Sequence, residues 1–219
     1  MQNINQNYRI FGRTKGRSNK KINEKNYFDL IEKYKVNKLV EKKIYILDIG
    51  IGYGETTIYL SSKYPQAQII SCDKYINGNL NLLKVIEKQK IKNISLYSGN
   101  VHEILDVNDV KKFFQSVWIF FPDPWPKKKH NKRRLISYDF LKKIFQYIKK
   151  DGIIYIASDS TDYNREILKS IYSSRFIYRW INQNQIYLDI KDYFKLETKF
   201  YKKAVISGRK PSLFILEKI

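Results

Sequence analysis

Ile44-Tyr45-Ile46-Leu47-Asp48-Ile49-Gly50-Ile51-Gly52-Tyr53-Gly54-Glu55 is the stretch that decides the fold. Its first six residues carry one charge among apolar neighbours, and three glycines at alternate positions then stop the run. That pattern fits a strand buried on both faces that ends in a tight turn. Residues 55–63 follow with a helical spacing and stop at Tyr64-Pro65. A buried strand running through a glycine turn into a helix opens a parallel α/β sheet, in which ligands bind beyond the carboxyl ends of the strands.

The same alternation continues outward. Residues 68–72, 94–97, 116–121 and 153–157 have the apolar density of strands, and residues 27–40, 80–90, 110–115, 137–149 and 163–173 that of helices. Residues 200–205 and 212–216 are expected to pair as a C-terminal antiparallel hairpin. The expected architecture is one α/β domain over residues 26–219, with a mostly parallel sheet and helices on both faces. Residues 1–25, with Arg9, Arg13, Lys15, Arg17, Lys20 and Lys21 around Gly12 and Gly16, are expected to be a flexible basic arm.

The 219 residues hold 42 Lys and Arg against 21 Asp and Glu, a net charge of +21. Such an excess repels itself in a compact chain and points to a polyanionic partner. Drift towards Lys, Asn, Ile and Tyr explains a high total but not clustering. Residues 1–43 carry 12 basic residues against 4 acidic ones, and residues 127–134 carry six basic residues in eight. A hydrophobic content of 43% excludes wholesale disorder. A single cysteine, Cys72, and two histidines, His102 and His130, leave no disulfide scaffold and no expected metal site. No apolar run approaches the roughly 20 residues of a membrane helix, and the first residues lack the apolar core of a signal peptide. The expected location is the cytoplasm, away from membranes. Whether the chain is a monomer or a homodimer is not legible.

Gly50, Gly52 and Gly54 form a G-x-G-x-G loop, distinct from the G-x-G-x-x-G of dinucleotide sites. Asp73 ends the second strand, where a carboxylate accepts both ribose hydroxyls of a nucleoside, although a surface turn acid would look the same. Asp48, just before the glycines, suits an amino group or a sulfonium better than a pyrophosphate. This pattern resembles motif one of the class I S-adenosylmethionine methyltransferases, with NAD binding as the alternative.

The most specific stretch is Phe120-Phe121-Pro122-Asp123-Pro124-Trp125-Pro126-Lys127-Lys128-Lys129-His130-Asn131-Lys132-Arg133-Arg134. Its prolines stiffen the loop after a strand and hold Asp123 at the strand's carboxyl end. Trp125 offers either a face for a nucleobase or a core anchor. The basic run is a solvated face or, beside a carboxylate and an aromatic, a clamp on RNA phosphates.

This stretch resembles the signature of the tRNA (guanine-N7)-methyltransferases, F-P-D-P-W-P-K-K-R-H-x-K-R-R, with Lys129 in place of Arg. The basic arm, Ser98-Gly99-Asn100, Ser158-Asp159 and Glu197-Thr198-Lys199-Phe200 are similar to further elements of that family. The resemblance implies S-adenosylmethionine as cofactor and tRNA as partner, with methyl transfer to the guanosine at position 46 of the variable loop. It implies cofactor contacts at Asp48, Gly50, Gly52, Gly54, Asp73, Asn100 and Asp123, with Asp123 also catalytic. It implies guanosine contacts at Lys127, Asp159, Thr198 and Tyr201, and tRNA contacts at Lys129, His130, Asn131, Lys132, Arg133 and Arg134. Two positions depart from the family: Asp48 replaces Glu, and Tyr201 replaces a Glu whose carboxylate would lie in the guanine pocket. A Rossmann-type enzyme on a small molecule would have no use for the basic run, and a non-catalytic RNA-binding protein would need neither Asp73 nor the glycine spacing.

Overall fold

A computed structural model describes residues 11, 24–36, 39–40, 43–107, 111–185 and 188–219. Apart from Phe11 and the start of the first helix, the arm expected over residues 1–25 lies outside the described residues. The chain runs α1 (Glu24–Tyr34), β1 (Ile44–Ile49), α2 (Glu55–Lys63), β2 (Ala67–Cys72), α3 (Ile76–Gln89), β3 (Ile94–Tyr97), α4 (Val101–Val107) and β4 (Phe114–Phe120). A 3₁₀ turn (Lys128–Arg133) leads to α5 (Tyr138–Phe145), β5 (Ile148–Ser158), α6 (Thr161–Ser173), β6 (Tyr178–Trp180), α7 (Ile190–Phe194), α8 (Lys199–Ile206) and β7 (Ser212–Lys218).

The seven strands form one sheet in the order β3-β2-β1-β4-β5-β7-β6, and β7 alone runs against its neighbours. β1 sits mid-sheet, parallel to β2 on one side and β4 on the other, so its apolar run is covered on both faces. Alternation sends Tyr45, Leu47 and Ile49 into the layer with Phe140, Leu141, Ile144 and Ile167 of α5 and α6. Ile46 goes to the other layer, with Leu60, Leu82, Leu83 and Ile86 of α2 and α3. From β1 the chain steps outward through β2 to β3, then returns to lay β4 along the other flank of β1. The loops after β1 and β4 therefore diverge, opening the crevice in which such sheets bind ligands.

Three expected elements differ. Of the helix expected over residues 110–115, the described residues 111–115 are not helical: helix α4 begins at Val101, nine residues before the expected start, and β4 already begins at Phe114. Asn100 starts α4 with a reciprocal cap, its Oδ1 accepting from His102 N–H and its own N–H donating to Glu103 Oε2. The helix expected to reach 149 stops at Phe145, and β5 starts at Ile148 with Asp151 at φ 58° beside Gly152, where its pairing with β4 shifts register. Residues 200–205 are helical. Thr198 caps α8 by accepting from Tyr201 N–H, and Tyr201 and Ala204, three apart, are buried while Lys202 and Lys203 face out. The antiparallel partners of β7 are β5 and β6 instead.

Among the described residues, no helix is long and apolar enough to cross a membrane. No group of His, Cys, Asp and Glu among them could hold a metal ion.

β6 is short, and buried Asn182 completes its work. Its Nδ2 donates to Leu213 O at 2.6 Å, and its Oδ1 accepts from Ile215 N–H at 2.8 Å and Trp180 Nε1–H at 2.9 Å. Asn182→Ala strands backbone groups of β7 and should cost about 2–4 kcal/mol, read as a lower urea midpoint with an unchanged slope.

Candidate active site

The glycine loop is built by backbone geometry. Gly50, Gly52 and Gly54 have φ of 76°, 57° and 90°, which side chains rarely adopt, and Gly54 N–H closes the turn onto Ile51 O at 2.8 Å. A Cβ on Gly50 would meet nothing within 4 Å, so bare backbone there faces open space. Gly78 on α3 escapes sequence reading, because an isolated glycine in a helical pattern is a common tolerated residue. Its role is steric: a Cβ there would lie 1.8 Å from Gly52 O, so its absence lets α3 pack on the loop.

Asp73, at the end of β2, ties this loop to its own. Oδ2 accepts from Gly52 N–H at 3.0 Å and Oδ1 from Tyr75 N–H at 2.9 Å, while Asp73 O accepts from buried Asn79 Nδ2 at 2.9 Å. Burial pushes its pKa up, and the charge of Asp123 adds to the rise. Asp48 is fully buried beneath the loop, where its Oδ2 accepts from Thr57 Oγ1 at 2.7 Å. Thr57 was not singled out from the sequence, which shows only a threonine in a helix. Asn100 follows β3 at the same sheet end, with its side chain engaged in the α4 cap.

The proline-rich loop leaves β4 at Phe121, whose N–H donates to Ala157 O at 2.7 Å. Asp123 is exposed. Lys74, also missed in the sequence, shares its field: burial pulls the Lys74 pKa down, against the charges of Asp123 and Asp73. Trp125 is braced on several sides. Arg133 stacks its guanidinium 5.0 Å from the ring centroid, and His130 and Phe11 meet the ring edge-on at 5.9 and 6.5 Å.

The basic run divides by direction. Lys127, Lys128, Lys129 and Lys132 are exposed. Arg134 turns inward with a side chain 2% exposed, pairing with Asp162 and Glu166 of α6 and donating from Nε to Pro124 O at 2.8 Å. Asn131 Nδ2 also donates to Glu166 Oε1, at 3.2 Å. Arg134 is therefore a brace of the loop and does not join the exposed cations expected to meet RNA. The cause is the acidic pair on α6, one helical turn apart, far away in sequence.

The residues expected around the guanosine are similarly sorted. Asp159, at the end of β5, accepts from Arg209 Nε at 2.7 Å, an arginine the sequence did not mark. Thr198 is buried and uses its hydroxyl to cap α8. Tyr201 faces inward, with its hydroxyl 2.8 Å from each oxygen of Asp189. Position 201 is the third residue of a capped helix, where Glu would complete a T-x-x-E capping box; here Tyr201 reaches a carboxylate on α7's cap instead.

The chain is similar to known methyltransferases in sequence and in fold. The family described as "Putative methyltransferase" matches residues 42–212. The chain is 35% identical over 199 residues to a tRNA (guanine-N(7)-)-methyltransferase of Wolbachia pipientis wMel, covering 85% of this chain and 84% of that one. It is 34% identical over 166 residues to the protein of that name from Buchnera aphidicola subsp. Schizaphis graminum, covering 75% and 68%. Among solved structures, a Streptococcus thermophilus rRNA methylase superposes with a TM-score of 0.53 at 16% identity over 89% of this chain and 95% of that one. A Streptococcus mutans methyltransferase in complex with SAH gives 0.53 at 14% identity over 90% and 97%. These two likenesses bear on the fold.

Burial pushes the Asp48 pKa from 3.8 up to about 7. A folded-state pKa above the ordinary value means that stability is full below about pH 4 and is lost as pH rises towards 7. Asp48→Asn keeps an acceptor for Thr57 and removes the titration. Without ligand, the variant should match wild type in thermal midpoint near pH 4 and exceed it at pH 8; a gap independent of pH would contradict this.

Proposed function

The chain belongs to the tRNA (guanine-N7)-methyltransferase family, and from that premise we propose that it transfers the methyl group of S-adenosylmethionine to N7 of a guanosine in tRNA. The products are S-adenosylhomocysteine and 7-methylguanosine. The observation that carries this reading is the glycine turn after β1, with its three left-handed glycines, tied to Asp73 through the Gly52 N–H bond at 3.0 Å, at the sheet end from which the proline-rich loop leaves β4. A carboxylate suited to a nucleoside and the loop that bears Asp123 thus share the carboxyl end of one sheet, and four lysines of that loop are exposed.

The residues present fit the cofactor. The open space over Gly50 admits a ligand against bare backbone, and Asp73 offers a half-buried carboxylate beside that turn. Asp73 would hold the ribose hydroxyls, and Asp48 would supply negative charge below the methionine end. Bound S-adenosylmethionine supplies an activated methyl group on a positively charged sulfur.

Guanine N7 presents a lone pair and carries no proton, so no residue has to act as its general base. The work left to the chain is alignment and charge. The loop must hold N7 in line with the methyl group. Asp123, at the crevice and with its charge felt at Lys74, would offset the positive charge that grows on the base. Lys127, Lys128, Lys129 and Lys132 would grip phosphates while the target base leaves its stack. Such a protein works in the cytoplasm, where its tRNA is.

Asp123→Ala should abolish 7-methylguanosine formation in tRNA, measured by nucleoside analysis, while filter retention of tRNA persists. Undiminished turnover would remove Asp123 from the reaction. Replacing Lys128, Lys129 and Lys132 together with Ala should flatten the salt dependence of tRNA binding by about 2–3 in log–log slope. An unchanged slope would return these lysines to a solvated face.

A further inference from the structure

One face of Trp125 carries the Arg133 guanidinium and its ring meets His130 and Phe11 edge-on. Two other rings stand at the crevice. Phe121 is the first residue past β4, two before Asp123, and its backbone has φ of 54°, a conformation that residues with a Cβ adopt at a cost. Phe200 lies in the first turn of α8 and remains 40% exposed. Lys199 N–H donates to Glu55 Oε1 at 3.2 Å, tying the start of α8 to the residue that follows the glycine loop. A Cβ on Gly52 would come within 2.9 Å of Phe200 Cε2, so that glycine also makes room for the ring.

The rings of Phe121 and Phe200 lie 22° from parallel with centroids 6.4 Å apart. Two rings that hold a flat group between them stand about 7 Å apart, twice the 3.4 Å spacing of stacked bases, so this pair, itself within the range of ordinary aromatic contacts, has to part to admit a base. Resting on the methyl-transfer reading above, we propose that Phe121 and Phe200 are the two jaws that stack on the extruded guanine and present its N7 edge. Their position favours the substrate base over the cofactor's adenine. Asp73 and Asn100 end β2 and β3, so the nucleoside end lies towards that edge of the sheet, whereas Phe121 follows β4 on the other flank of β1.

The chemistry of the product strengthens the assignment. The base is neutral before transfer and cationic after it, and aromatic faces attract a cation more strongly than a neutral ring. Stacking of this kind therefore favours the transition state over the bound substrate, which is the condition for raising turnover. The strained backbone of Phe121 keeps a ring at a site where glycine would be conformationally easier.

The test uses full-length protein, tRNA transcript and labelled S-adenosylmethionine, with cofactor affinity measured separately by calorimetry. Phe200→Ala should lower the single-turnover rate about 10- to 100-fold, the scale of base–aromatic stacking, with cofactor affinity within about twofold of wild type. Phe200→Tyr should stay within about threefold of wild type, because it keeps a flat face, whereas Phe200→Leu should fail as Ala does. Phe121→Gly relieves the positive φ but gives up a ring packed on the core, so it should stay close to wild type in stability yet lose turnover, a split that a purely structural residue would not produce. The proposal is overturned if Leu serves as well as Tyr at position 200, or if cofactor affinity falls in step with the rate. Wild type that forms no 7-methylguanosine would instead refute the activity on which the proposal rests.

Discussion

One half-buried carboxylate holds the functional end of this sheet together. Asp73 accepts the N–H of Gly52 from the loop after β1 and the N–H of Tyr75 from its own loop, while its carbonyl takes the amide of Asn79. Through those bonds the β1 and β2 ends become a single rigid lip. Gly78 lets α3 press on that lip from behind, and Phe200 covers it from the front. Burial disfavours the ionised form of Asp73. The charge is supported by backbone donors, which is how a protein keeps an acceptor available for a sugar without neutralising it with a cation.

The opposite lip is held by a buried cation. Arg134 meets two carboxylates of α6 and a carbonyl of the proline-rich loop, so it fixes that loop from beneath. The guanidinium is buried while its two carboxylate partners keep contact with solvent, so removing both partners would leave a buried charge unpaired. Arg133 performs a related task at the surface by stacking on Trp125 and Phe11. A run of six like charges thus separates into braces that shape the loop and lysines that stay available to a polyanion.

Much of the fold was legible because its signals are local. The apolar run of β1, its glycine stop and the alternation of strands and helices follow from the chemistry of adjacent residues. The helix over 199–206 was misread as a strand because Phe200, Tyr201 and Val205 favour strands intrinsically. The Thr198 cap and the burial of Tyr201 and Ala204 on one face outweighed that preference. α4 was misplaced although its Asn100–Glu103 cap was present in the sequence, since a short helix has little periodicity to announce it.

By itself the sequence determined the chemistry available: a glycine turn, carboxylates at Asp48, Asp73 and Asp123, and a dense basic run after the prolines. Only the tertiary structure decided which of those groups share a cleft and which face inward. The loop that bears Asp123 comes to the same sheet end as Asp73 because β4 returns to lie against β1. Arg134 is withdrawn from the basic run because α6 carries Asp162 and Glu166 opposite it. Both outcomes depend on pairings between distant segments, and a strand's neighbours are chosen by the burial of its whole face, which no local pattern records.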